Sequence, residues 1–137
     1  MNFVLDCSVA MTWFFQYEAT PGTDALLDEL SGDGKAFVAQ HWRLEIGNVL
    51  LGAERTKGKA AAQTTQFLAL LDKLPIEPDP ETGRYATSAT LAIARKHKLT
   101  SYDAAYLELS IRRGLPLATL DSDLRKAARA ERVSVLP

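Results

Sequence analysis

Acidic side chains stand where apolar runs of this chain end, at positions far apart in sequence. Asn2-Phe3-Val4-Leu5 runs into Asp6, and Leu115-Pro116-Leu117-Ala118-Thr119-Leu120 runs into Asp121, with Asp123 close behind. Leu99-Thr100-Ser101-Tyr102 leads to Asp103, directly before an apolar helical run, and Glu45 lies just inside an amphipathic stretch. In an open parallel α/β sheet, sites form at the carboxyl ends of the strands, so Asp6 and Asp121 meet if their strands are neighbours. Clustered carboxylates repel unless a cation or proton neutralises them, and hard oxygen ligands favour Mg²⁺ or Mn²⁺. Such an ion lowers the pKa of a bound water and offsets charge on a phosphodiester.

Each acid also has a purely structural reading. Asp6 can cap a helix after its strand, although Ser8 competes for that place. Asp103 is well placed as an N-cap. Asp121 and Asp123 suit a turn and a first helical turn, where the helix dipole favours negative charge. Glu45 suits the rim of a surface helix. Those readings leave the set unexplained: acids gather at element ends, with the small hydroxyls of Ser8 and Thr119 beside two of them.

Other chemistries are poorly served. His41 and His97 have no second His or Cys at zinc-like spacing. There is no Gly-rich phosphate loop and no GxSxG. A phosphatase of the haloacid-dehalogenase type would carry an acid where Ser8 stands, and no lysine at a late strand end supports a receiver domain. Cys7 reads as a small core residue; a lone cysteine excludes an internal disulfide and fits a reducing compartment.

The elements that must position these acids follow from periodicity. Residues 2–6 read as a short buried strand, and Ser8 can cap a helix carrying Met11, Trp13, Phe14, Phe15 and Tyr17. Thr20-Pro21 opens a helix that Gly32-Asp33-Gly34 stops, and Ala36–Ala39 is a second strand. Trp42, Ile46, Val49, Leu50 and Ala53 form one continuous helical face, with Glu45 at its border. Residues 60–73 form another helix. Pro75 to Pro80 bracket a connection with room for a very short strand, and a further helix passes through Tyr85, Ala89, Ala92 and Ile93 to His97. Asp103 opens a helix apolar nearly all round, hence central, which Gly114 ends. Leu115–Leu120 is a strand, 123–130 a helix and 133–136 a final strand. This alternation argues a parallel sheet in an α/β sandwich, one domain over residues 1–137.

The totals agree. A chain of 137 residues, 47% hydrophobic and 24% charged, fits one globular domain with a real core. No leader and no apolar span approaching about 20 residues is present, so a soluble, cytoplasmic protein without a membrane role is expected. The net charge of −1 provides no global positive field, so a phosphate-bearing substrate must be met by a local basic patch or a bound cation. Arg112-Arg113 and Arg125-Lys126 with Arg129 are basic clusters near helix ends, ordinarily solvated faces, that can also line the approach of a phosphate backbone. The aromatic group Trp13, Phe14, Phe15 and Tyr17 exceeds what one buried face needs, leaving part of it as a surface for a partner or second copy.

Four blocks carry a resemblance: Asp6-x-Ser8-Val9 followed by Trp13; Leu44-Glu45-Ile46-x-Asn48-Val49-Leu50; Ser101-Tyr102-Asp103-Ala104-Ala105-Tyr106-Leu107-Glu108-Leu109; and Leu117-Ala118-Thr119-Leu120-Asp121-x-Asp123-Leu124. In this order they resemble the PIN-domain nucleases, and within them the VapC-type toxins of bacterial and archaeal toxin–antitoxin pairs. One departure is Gln40-His41-Trp42-Arg43, where the family often carries a proline. The resemblance implies a PIN-like α/β/α sandwich and an Mg²⁺- or Mn²⁺-dependent endoribonuclease toxin. It also implies an RNA substrate, a cognate antitoxin and a homodimer. Asp6 and Asp103 would bind the metal most directly, Asp121 would join them or act through water, Glu45 would hold a metal-bound water, and Asp123 would be a peripheral member of the catalytic set. The alternatives are a PIN nuclease in RNA processing without a toxin role, and a protein-binding module that keeps the acids but not the catalysis.

Overall fold

The computed structural model describes residues 1–137. Five parallel strands form one sheet: β1 (Asn2–Leu5), β2 (Lys35–Val38), β3 (Ile76–Pro78), β4 (Leu117–Ala118) and β5 (Val135–Leu136), in the order β3-β2-β1-β4-β5. The chain lays β2 and β3 to one side of β1, then returns with β4 and β5 on the other. The order therefore reverses between β1 and β4, and crevices open at the carboxyl ends of strands at such a switch point. Phe3, Val4 and Leu5 are wholly buried, as expected for a central parallel strand covered on both faces.

Eight helices cover the sheet: α1 (Cys7–Met11), α2 (Pro21–Ser31), α3 (Trp42–Thr56), α4 (Ala61–Asp72), α5 (Thr82–Tyr85), α6 (Ala89–His97), α7 (Ser101–Arg113) and α8 (Ser122–Ala130). This is the α/β/α sandwich expected from sequence. Trp42, Ile46, Leu50 and Ala53 bury one face of α3 as their spacing predicts, but Val49, expected on that face, is exposed and borders the acid-lined cavity instead. Helix α7 buries every residue from Ala104 to Ser110 and packs on α6 and β1. It ends at Gly114, whose φ of 64° is readily available only without a Cβ. Gly34 answers a different demand, since a Cβ there would lie 2.6 Å from the carbonyl of Met1. No helix is long and apolar enough to cross a membrane.

Several expectations change. Helix α1 stops at Met11, because the next aromatics face different partners. Trp13 Nε1 donates to the carbonyl of Thr23 at 3.0 Å, Phe14 lies 5.1 Å from Phe67, and Phe15 enters the core. No single helical face serves all three. The expected partner surface shrinks accordingly: Trp13 and Phe15 are core, and Tyr17 is the exposed member. The helix expected through Tyr85 divides into α5 and α6, with Tyr85 held under the Arg112 guanidinium at 4.7 Å. The strand expected over 115–120 contracts to Leu117–Ala118, since β5 offers only Val135 and Leu136 to pair with it.

Candidate active site

Leu5 pairs with Ala118, so the residues that follow, Asp6 and Thr119, leave the sheet side by side. Asp6 caps α1 itself: Oδ1 accepts from the backbone N–H of Val9 at 3.3 Å and from the Ser8 hydroxyl at 2.7 Å. Ser8, expected to be the cap, instead supports Asp6 and accepts from the backbone N–H of Leu120 at 2.8 Å. The Thr119 hydroxyl donates to Asp6 Oδ2 and accepts from the Asp121 N–H. Two small hydroxyls thus tie the β1 and β4 loops to one carboxylate. Burial pushes the Asp6 carboxyl up to about 6, against the lowering effect of these donors.

Asp103 lies in the first turn of α7 but does not cap it. Thr100 does, its hydroxyl accepting from the Asp103 N–H at 3.1 Å. The carboxylate of Asp103 is thereby left for the cavity. Its pKa is raised by burial first, then by the negative charges of Asp121, Glu45 and Asp123, with partial relief from His41.

Glu45, in the first turn of α3, accepts a hydrogen bond from the phenol of Tyr106 on α7. Burial, and then that bond, push the Tyr106 hydroxyl well above its ordinary pKa, so it remains a donor. His41 Nε2 lies 3.0 Å from the carbonyl of Tyr102 and 3.7 Å from Glu45 Oε1. A carbonyl can only accept, so Nε2 carries the proton in that contact. Asp121 caps α8 through Oδ2, accepting from Leu124 N–H at 2.8 Å, and the residue also lines the cavity.

Asp6, Glu45, Asp103 and Asp121 line one cavity of about 490 Å³. Asp123 lines a neighbouring cavity instead, exposed on α8 beside Lys96, Lys98 and Lys126. Sequence reasoning missed two rim residues, Glu18 and Lys57. Neither shares a helix face or strand end with the other acids, and only the tertiary fold brings them there. Tyr106 had a signal in its place one helical turn after Asp103. Cys7 also borders the cavity, but burial, followed by the charges of Glu45 and Asp6, pushes its thiol up to about 12. That thiol stays protonated and is no nucleophile.

The donor set decides which cation suits the cavity. No three His, Cys, Asp or Glu side chains are spaced closely enough for a closed protein cage. Mg²⁺ needs no such cage, since it commonly keeps several waters and takes one or two carboxylates. Oxygen donors with excess negative charge at Asp6, Asp103 and Asp121 fit a hydrated Mg²⁺ or Mn²⁺.

The family model of the PIN domain matches residues 3–130. The chain belongs to the PIN-domain family. Solved structures agree on this PIN fold. The Pyrobaculum aerophilum protein PAE2754 superposes with a TM-score of 0.70 at 22% identity, covering 98% of this chain and 83% of its own. A chain of VapBC2 from Rickettsia felis, bound to a DNA fragment from their promoter, gives 0.67 at 13% identity, covering 98% of this PIN domain and 97% of that chain. One of FitAcB from Neisseria gonorrhoeae gives 0.58 at 17% identity, covering 100% and 97%. No curated protein matches this PIN domain in sequence.

Proposed function

We propose that this PIN domain is a cytoplasmic, Mg²⁺- or Mn²⁺-dependent endoribonuclease, the homodimeric toxin of a toxin–antitoxin pair held inactive by its cognate antitoxin. The observation that carries the reading is the convergence of Asp6, Glu45, Asp103 and Asp121, from four separate elements, on one cavity at the sheet's switch point. Membership of the PIN family and likeness in fold to chains of VapBC2 and FitAcB favour the toxin role over other phosphodiester chemistry.

Asp6 and Asp103 would hold the ion directly, with Asp121 joining them through a water. When bound, the ion supplies Lewis acidity to the phosphodiester and lowers the pKa of an attacking water. Glu45, which accepts a hydrogen bond from the Tyr106 phenol, would hold that water and accept its proton on a carboxylate oxygen. Ser8 and Thr119 keep Asp6 from rotating as charge shifts. Leu44, Val49 and Leu51, exposed along α3, offer apolar area for a protein partner.

Purified protein incubated with total cellular RNA should cut it in Mn²⁺ and not in EDTA. Expression without a partner should arrest growth, and Asp6→Asn or Asp103→Asn should relieve the arrest. Cutting that persists in EDTA, free of contaminating nuclease, would overturn the mechanism. A wild-type chain harmless at high expression would favour the binding-module alternative.

A further inference from the structure

The clusters Arg112-Arg113 and Arg125-Lys126-Arg129 do not act as units. Arg112 is held by Asp79, Glu108 and Glu81, and Arg125 by the carbonyls of Thr119, Leu136 and Pro137. Both guanidinium groups are spent inside the molecule. Lys126 is exposed and makes no ion pair, and it faces a cavity of about 360 Å³ also lined by Lys96, Lys98, His97 and Asp123. Lys96 is paired with Glu131 at 2.8 Å, which leaves Lys98 and Lys126 as the unpaired cations there. The first turn of α8 borders both cavities, with its cap Asp121 lining the carboxylate site and Asp123, two residues on, lining this one.

Resting on the ribonuclease reading above, we propose that the cavity between α6 and α8 is a phosphate-backbone subsite, where Lys98 and Lys126 hold the RNA strand beside the scissile bond. A polyanion approaching a cavity of five carboxylates and the single cation of Lys57 is repelled, and a net charge of −1 gives no general attraction to offset this. Affinity must come from cations adjoining the site. Lys98 also occupies a left-handed helix cap, φ 55°, a place where Gly or Asn is the usual choice. A long cation there is costlier for the backbone than the residues it displaces. The end of α6 favours positive charge through its dipole, but Lys126 lies within α8 and gains nothing from that effect.

The test uses the full chain carrying Asp6→Asn in EDTA, so that RNA is bound and not cut. A labelled single-stranded RNA of mixed sequence is titrated at several salt concentrations, because backbone contacts are sequence-independent. Adding Lys98→Asn, which keeps the left-handed cap, and Lys126→Ala should weaken binding roughly tenfold and reduce the salt slope by about 1.4, two phosphate contacts' worth. Arg129→Ala, on the same helix but outside the cavity, should change neither. Unaltered affinity and slope in the double variant, with the parent binding RNA firmly, would overturn the subsite alone. A parent that binds no RNA would overturn the subsite, and a wild-type chain that also cuts no RNA in Mn²⁺ would overturn the ribonuclease reading with it. Equal loss in the Arg129→Ala control would reduce the effect to general surface charge and also overturn it.

Discussion

The hydroxyl of Thr119 donates to Oδ2 of Asp6, joining two residues 113 positions apart at the point where β1 and β4 leave the sheet. The same hydroxyl oxygen of Thr119 accepts from the Asp121 N–H at 3.1 Å. One threonine therefore sets two acids relative to each other.

Thr119→Val keeps the side chain's shape and removes both bonds. A donor to a charged carboxylate and an acceptor for a loop N–H are lost in a buried setting, so stability should fall by about 1–3 kcal/mol. Urea denaturation at neutral pH measures this. A change within about 0.5 kcal/mol, the scatter of ordinary surface substitutions, would mean the two loops are held by other means.

Asp103→Asn should raise the melting temperature in EDTA, because it removes one of several repelling charges while Thr100 continues to cap α7. The same variant should gain less from Mn²⁺ than wild type, since stabilisation by a ligand follows its affinity for the folded state. Thr100→Ala, by contrast, should cost about 1 kcal/mol through loss of the cap. A less stable Asp103→Asn protein that responds fully to Mn²⁺ would make this carboxylate structural.

Arg125→Ala should destabilise by about 1.5–3 kcal/mol, because its guanidinium donates to the carbonyls of Thr119, Leu136 and Pro137. Arg129→Ala should stay within about 0.5 kcal/mol, being exposed and unpartnered on the same helix. Thermal melts of the pair distinguish them. Equal effects would remove Arg125 from its structural role.

Acid should unfold the protein partly through Asp79. Burial pushes its carboxyl up, but the Arg112 guanidinium, with the Glu81 N–H and the Thr82 hydroxyl, holds it below the usual aspartate range. A depressed folded pKa gives stability that is present above the unfolded value of about 3.9 and lost as pH falls below it. Asp79→Asn should therefore be less stable than wild type at pH 7, and the gap should narrow by about pH 3. Parallel denaturation curves at both pH values are the measurement, and a constant gap would count against the pairing.

The strand end at Asp6 and the border position of Glu45 were legible in the sequence, because unbroken apolar runs and a 3.6-residue period are local patterns, whereas Asp121 stands three residues past β4 as the cap of α8. Cap assignments were less so. Asp6, Ser8, Thr100 and Asp103 are all competent caps, and the choice depends on which side chain the cavity needs. The spacing Thr100-x-x-Asp103 did hold the answer, being that of a cap and its third helical residue. Glu18 and Lys57 gave no such signal. Arg125, Lys126 and Arg129 look alike in sequence, yet the fold uses one internally and presents the others to solvent.

The pairing of β1 with β4 also bears on the order of events at the ribosome. Asp6 is translated well before its partner Thr119, and the 113 positions between them take roughly 6–20 s to translate at ordinary rates of synthesis. Until the later segment emerges, β1 lacks a neighbour on one side, and neither Asp103 nor Asp121 is in place. The nascent chain can hold no assembled acid cluster during that interval. The acid cluster therefore forms only after the segment carrying β4 has been made, however early Asp6 itself appears.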